Sequence, residues 1–256
     1  MHAVVFAYHD VGVNCLKALL NAGIHIDLVV THQDDPNENL WFGSVAKLCQ
    51  EKNISYIAPS ANELAGLIPQ MQALAPDYIF SFYYRFMIPE EILSCAKIAA
   101  LNMHGSLLPK YRGRAPVNWA ILHGETETGA TLHVMEAKPD AGDIVGQAAV
   151  SIDPDETATD VFGKVSQAAV SVIEQALPDL IQGNVARKPN ALDKGSYFGG
   201  RKPADGEIHW NQTAKQVHDL VRAVAPPYPG AFTNHEGKTM IVARTSLNGP
   251  FPANLD

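Results

Sequence analysis

The chain has 256 residues, 46% of them hydrophobic and 18% charged, with a formal net charge of −8. That length allows a full core in one large domain, or one with a smaller companion, and the acidic balance disfavours a polyanionic partner such as RNA. Cys15, Cys49 and Cys95 lie far apart with no C-x-x-C, no apolar run approaches about 18 residues, and MHAVVFAYHD lacks a charged leader; this points away from disulfides, zinc ribbons and membrane insertion and reads as cytoplasmic.

HAVVFA (2–7) is short, apolar and β-branched, which predicts a buried strand. VNCLKALLNAG (13–23) has helical spacing at Val13, Leu16, Leu19 and Leu20, with Gly23 as its stop. HIDLVVTH (25–32) is a second strand, residues 43–53 a helix, and ISYIAP a third strand. ELAGLIPQMQAL reads as a helix interrupted or restarted at Pro69. DYIFSFYY (77–84) is a fourth strand, PEEILSCA a short helix with Pro in its first turn, and AALNMH (99–104) a fifth strand. This alternation predicts an α/β fold: a Rossmann-like, mostly parallel sheet with helices on both faces, whose ligands sit outside the carboxyl ends of the strands.

PVNWAILHG is helical in pattern, and residues 129–136 and 143–152 alternate as strands. The stretch 157–183 contains the longest amphipathic helix and closes the large domain, placed at 1–188. Residues 189–203, rich in Gly, Pro and charge, read as a linker. Residues 204–256 form a small C-terminal subdomain: a helix over TAKQVHDLVRAV and a hairpin turning at NHEG. A helix and one hairpin bury little core alone. Either this piece packs on the large domain, or the sequence is part of a longer protein.

The segment LNMHGSLLPKYRGRAP (101–116) concentrates chemistry. Side chains on a strand repeat every second residue, so Asn102 and His104 share a face at the strand tip. A loop with Lys110, Arg112 and Arg114 follows, and a turn KPDAG further on carries Asp140. Asn offers an N–H to a developing oxyanion, His moves a proton near neutral pH, and a carboxylate orients the imidazole and favours its charged form. Such a set suits acyl transfer by direct attack of a neutral nucleophile. Ser106 lies nearby without a G-x-S-x-G elbow, which argues against a hydrolase triad. G-x-G-x-x-G and Walker motifs are missing, and no His pair has H-x-x-x-H spacing with nearby acids, so no catalytic metal is expected. The sequons at 53–55 and 211–213 are of the kind that arises by chance.

On these strings the chain resembles the folate-dependent formyltransferases over residues 1–245. NMHGSLLPKYRGRAP is similar to the family signature N-x-H-x-S-L-L-P-x-[YW]-R-G, and GATLHVMEAKPDAGDIV to its second, with a G-x-T-x-H start and a D-x-G turn. The resemblance implies a Rossmann-like domain followed by a small barrel-like one, here looking incomplete, with N10-formyltetrahydrofolate as co-substrate. It gives Asn102 the role of transition-state stabiliser, His104 that of acid/base, and Asp140 that of the carboxylate raising the pKa of the His. VVFAYHDVG, IFSFYYR, HGETETGATLH and RAVAPPYPGAF resemble the formyltransferase domain of the bifunctional enzymes that modify UDP-4-amino-4-deoxy-L-arabinose, a lipid A modification tied to antibiotic resistance. By that likeness Phe86, Met87, Ile88, Arg114 and the run Glu136, Ala137, Lys138, Pro139 and Asp140 border the folate. The NAD-dependent decarboxylase domain that follows in those enzymes has no counterpart in this sequence; a second domain or an oligomer is left open.

Methionyl-tRNA formyltransferases share both signatures and carry a basic insertion after the second strand. Here the matching stretch 31–44 holds Asp34, Asp35 and Glu38 and no Lys or Arg. A tRNA binder needs cations that neutralise phosphates, so a nucleotide-linked amino sugar is the expected acceptor. Enzymes acting on other UDP- or dTDP-amino sugars would differ only in pocket detail.

Overall fold

A computed structural model describes residues 1–34 and 41–247. The chain runs β1 (His2–Ala7), α1 (His9–Asn21), β2 (His25–Val30), α2 (Val45–Lys52), β3 (Tyr56–Ile57), α3 (Ile68–Leu74), β4 (Tyr78–Phe82), α4 (Glu90–Leu93) and β5 (Ala99–His104). It continues through β6 (Arg112–Gly113), α5 (Pro116–Leu122), β7 (Glu127–Val134), β8 (Ile144–Ser151), α6 (Ala158–Ile181), β9 (Tyr197–Phe198), α7 (Ala214–Ala223), β10 (Ala231–His235) and β11 (Lys238–Val242). Seven strands form the main sheet in the order β3-β2-β1-β4-β5-β7-β8. The pairings among β1 to β5 are parallel, whereas β7 and β8 join antiparallel. The expected Rossmann-like class is therefore what the chain adopts.

The two-residue period of β1 divides the core. Ala3, Val5 and Ala7 face a large cluster with Leu16 and Leu19 of α1, Leu48 of α2, Ile121 of α5 and Val165 of α6. Val4 and Phe6 face a smaller one with Met71 of α3 and Ile92 of α4. Each such fully buried large side chain contributes about 1.5–3 kcal/mol of transfer free energy. Because helices cover both faces, only strand ends are left to carry a site.

Two elements start earlier than their sequence reading, and a third is interrupted where it was expected to be. Helix α1 begins at His9 rather than at 13, because the strand-to-helix turn is tight. His9 takes φ 64°, and Gly12 lies so close to the Ala7 backbone and the Phe82 carbonyl that a Cβ would sit 3.2–3.3 Å from them. Strand β7 starts at Glu127, with Gly129 inside it: a Cβ there would stand 2.1 Å from the Ala148 carbonyl, so the glycine permits close strand approach. The stretch 63–74 opens with a 3₁₀ segment over Ala61–Leu67 and restarts as α3 with Pro69 in its first turn.

The segment expected as a linker is stitched down. Lys188 and Ile144 exchange two backbone hydrogen bonds of 2.8 Å each, and β9 pairs in parallel with β6. Helix α7, capped by Thr213 and Gln216, packs on α5, and Val217, Leu220 and Val221 join the large core cluster. Asn118 of α5 donates to the Ala223 carbonyl at 2.8 Å. The C-terminal piece thus packs on the large domain. Its hairpin β10–β11 turns at Glu236 and Gly237, both with positive φ, as a two-residue hairpin requires. Residues 248–256 lie outside the described residues, as do Asp35 and Glu38.

Candidate active site

Asn102 and His104 leave the carboxyl end of β5 on the face of the smaller core cluster. Their neighbours across the antiparallel pairing are His133 and Thr131 of β7. This crossing of a parallel strand with an antiparallel one brings two pairs of polar side chains together at one edge. Thr131 holds the loop after β5: its Oγ1 donates to the Ser106 carbonyl (2.6 Å) and accepts from the Leu108 N–H (3.2 Å).

His133, only 2% exposed, was quoted in the second signature but given no role there. Its Nδ1 lies 2.8 Å from its neighbour's carbonyl at Val134, which can only accept, so Nδ1 carries the proton. Nε2 is then the acceptor for an N–H of the Asn102 amide, 3.0 Å away. An amide nitrogen has two hydrogens. One is committed to His133 and fixes the amide plane; the second is available to an incoming oxygen.

His104 is buried, and both of its ring nitrogens face acceptors. Nε2 is 2.8 Å from the Tyr111 carbonyl and Nδ1 is 3.5 Å from Asp140 Oδ1. The same carboxylate oxygen is 3.5 Å from His133 Nε2. Asp140 Oδ2 accepts from the Gly113 N–H at 2.8 Å, which ties the turn to the cationic loop. Asp140 itself sits at φ 51°, and Asn190 braces it by donating to the Asp140 and Gly142 carbonyls at 3.1 and 3.2 Å. Asn190 lies in the stretch read as a linker, where nothing in the sequence pattern marks it.

Burial works to raise the Asp140 carboxyl, but His104 and the Gly113 N–H outweigh it and hold the group well below the usual carboxylate range. For His104 the balance falls the other way. Burial lowers its pKa below the ordinary imidazole value, against the raising effects of Asp140 and the Tyr111 carbonyl. Asp140 thus acts in the expected direction, yet burial wins in the free protein. The expectation that Asp140 keeps His104 protonated is corrected: it makes an imidazolium less costly than burial alone would.

The three cations of the loop part company. Lys110 pairs with Glu125 at 3.3 Å on the surface. Arg112 is buried with its Cζ 5.9 Å from the Tyr197 ring centre, and its Nε and Nη1 have no hydrogen-bond partner among the described residues. Arg114 is exposed, and its guanidinium forms no hydrogen bond or ion pair among the described residues. Phe86 and Ile88 pack, half-buried, against the same core cluster as Ala100 and Met135, while Met87 is exposed. Glu136, Ala137 and Lys138 are exposed and Pro139 is half-buried, so this run leads from the Met135 end of the cluster to Asp140. Both segments therefore border the face on which Asn102 stands. An apolar wall beside loop backbone and a free arginine suits a flat heterocycle with an anionic tail.

Other nucleophiles are spoken for. Ser106 Oγ donates to the Lys110 carbonyl at 2.7 Å. Burial pushes the Cys49 thiol up to about 11 and the Cys15 thiol higher still. The Asn102 amide and the His104 ring are the groups here that can polarise a carbonyl and move a proton.

Such a fold and site define an acyl-transfer enzyme, and comparison with known proteins names the kind. Residues 2–177 match the model described as formyl transferase, and residues 201–250 match the formyl transferase C-terminal domain. The chain belongs to the formyl transferase family; it is a folate-dependent formyltransferase with N10-formyltetrahydrofolate as its one-carbon donor. Among solved structures it is similar to a 4-N formyltransferase from Francisella tularensis, at 24% identity and TM-score 0.75 over 94% of this chain and 96% of that one. A sugar N-formyltransferase from Shewanella sp FDAARGOS_354 matches at 20% identity and TM-score 0.74, over 98% and 99% of the two chains. An N-formyltransferase from Helicobacter canadensis, in complex with folinic acid and dTDP-3-aminofucose, matches at 19% identity and TM-score 0.69 over 92% and 84%. At such identities these three attest to the fold. No described helix is long and apolar enough to cross a membrane.

Proposed function

We propose that the acceptor is the 4-amino group of a nucleotide-linked amino sugar, with UDP-4-amino-4-deoxy-L-arabinose as first candidate, and that Asn102, His104 and Asp140 carry the transfer. The observation behind this reading is the coupled set Asn102–His133 and His104–Asp140 at one strand edge. The folate supplies a formyl carbon ready for attack by an amine. Phe86, Met87, Ile88, Arg114 and the run Glu136–Asp140 are the residues that hold it in this reading. The free Asn102 N–H donates to the formyl oxygen as negative charge develops there. His104 moves the proton that the attacking amine must lose and the departing nitrogen must gain. Asp140 compensates the charge that His104 acquires in doing so.

A sugar-nucleotide acceptor is supported by the names of the similar structures, two of which are a 4-N formyltransferase and a complex with a dTDP-amino sugar. Stretch 31–44 lacks the cations that a tRNA acceptor stem needs, and its one described acid, Asp34, accepts from Ser44 at 2.7 Å. The test is formyl transfer from N10-formyltetrahydrofolate to a panel: UDP-4-amino-4-deoxy-L-arabinose, other UDP- and dTDP-amino sugars, and methionyl-tRNA. Turnover with a sugar nucleotide is expected. Transfer to methionyl-tRNA alone overturns the reading. In the same assay Arg114→Ala is expected to raise KM for the folate or the sugar nucleotide roughly tenfold, since a charged hydrogen bond contributes about 1.5–3 kcal/mol. Arg114→Lys should recover only part, because an ammonium lacks the guanidinium fork. Unchanged KM values would return Arg114 to a solvated surface role.

A pH profile tests Asp140. Its carboxylate raises the His104 pKa against burial, so Asp140→Asn removes a raising effect and the imidazolium is lost at lower pH. Because His104 starts neutral and takes a proton, its ionisation sets the acid limb of kcat/KM, and that limb is expected to move to lower pH in Asp140→Asn. An acid limb that stays in place contradicts this role.

A further inference from the structure

At the amino edge of the sheet, opposite the strand ends that carry Asn102 and His104, three ligating side chains converge. His2 opens β1, His25 opens β2, and the two are register partners across the parallel pairing. Asp27 lies two residues beyond His25, at a bulge in the β1–β2 register that leaves it without a partner on β1. His2 Nδ1 is 2.9 Å and His25 Nε2 is 3.4 Å from the one oxygen Asp27 Oδ1. The two imidazole rings meet edge to face with centres 4.7 Å apart. Among the described residues this is the grouping of three His, Cys, Asp or Glu whose ligand atoms all fall within 4.8 Å of one another.

We propose that His2, His25 and Asp27 form a surface site for a divalent transition cation, with Zn²⁺ as its occupant and a solvent molecule as fourth ligand. Zinc bonds of 2.0–2.2 Å to imidazole and carboxylate in a tetrahedron put neighbouring ligand atoms roughly 3.3 Å apart. The two imidazole-to-carboxylate spacings bracket that value. One carboxylate oxygen serves a single imidazole N–H well; a cation at the centre satisfies all three groups together, and imidazole with carboxylate is a donor set that suits Zn²⁺.

The frame under the ligands is firm. The His2 N–H donates to Asp77 Oδ2 at 2.8 Å and the His2 carbonyl accepts from the Asp77 N–H at 2.9 Å, so the first strand residue is clamped rather than frayed. The Asp27 side chain is 13% exposed, and its Oδ2 is buried with no hydrogen-bond partner among the described residues. The two histidines, 57% and 67% exposed, leave the fourth position open to water. Bound there, the ion would cross-link the amino ends of β1 and β2. Sequence spacing hides the site, because its two halves come from different strands and match no H-x-x-x-H pattern.

The test is calorimetric titration of ZnCl₂ into the full chain carrying no affinity tag, beside His2→Gln, His25→Gln and the double variant. Both histidines are exposed, so these variants keep the fold. One equivalent of Zn²⁺ is expected to bind the parent chain, with affinity at least tenfold weaker in each single variant and no measurable binding at this site in the double. Co²⁺ should give the intense visible bands of a four-coordinate ion with the parent chain and not with the double variant. Zn²⁺ should raise the melting temperature of the parent alone. The absence of binding to the parent, or equal binding by parent and double variant, overturns the site.

Discussion

Asn102→Ala and His104→Ala are each expected to lower kcat by about 10²–10³, the loss typical of one oxyanion donor or one proton-transfer group. Both side chains stand near the end of β5, on the face opposite the core residues Leu101 and Met103 with which they alternate. Removing the Asn102 amide strips the donor and leaves His133 Nε2 without its partner, but opens no apolar cavity. Removing the His104 ring leaves the Tyr111 carbonyl and Asp140 facing space, so His104→Asn is the companion variant that keeps a polar group there. A purely structural role would show as a lower melting temperature with kcat regained on cooling. A catalytic role shows as a low kcat at every temperature at which the protein is folded. Near-normal kcat in either folded variant rules out the assigned chemistry.

How far this site was legible depends on which physical signal each residue leaves. Asn102 and His104 were readable from period two on a strand that ends in a polar pair. Asp140 is visible as the carboxylate of the KPDAG turn, and the second signature string attaches its role. His133 stood in the same string without a role, because its function follows from strand pairing: it is the register partner of Asn102 in an antiparallel step that local pattern does not announce. Asn190 left no signal at all, being brought to the site from 50 residues beyond Asp140. The β6–β9 pairing was invisible for the same reason: two residues have no periodicity. The protonation balance of His104 was also beyond the sequence. A neighbouring carboxylate can be inferred from a motif, but the burial that outweighs it depends on every element packed around the ring. The fold was more legible than the site, since alternating strands and helices leave periodic traces. Boundaries slipped where a glycine served close backbone approach, as at Gly12 and Gly129.

Gly142→Ala is expected to reduce kcat by about 10², although Gly142 carries no chemistry, because a misplacement of about 1 Å can cost that much. A Cβ built at Gly142 would lie 2.1 Å from the Val134 carbonyl oxygen and 2.9 Å from its carbon. These are backbone atoms of β7, paired on one side with β5, so the strand cannot give way. The turn 135–143 must move instead, and it carries Asp140 two residues upstream. The Asn190 bonds to the Asp140 and Gly142 carbonyls would be lost with it, and so would the Gly113 N–H contact that fixes the carboxylate. Overpacking of this kind also destabilises by about 1–3 kcal/mol. Gly163→Ala is the control, for Gly163 is an exposed position inside α6 where an added methyl meets nothing within 4 Å. There the change should stabilise by about 0.5–1 kcal/mol through helix propensity and leave kcat alone. The loss at Gly142 should moreover fall on kcat more than on KM for the amino sugar, since the displaced group is the carboxylate beside His104. Wild-type kcat in a folded Gly142→Ala protein would mean that the position of Asp140 does not limit the reaction.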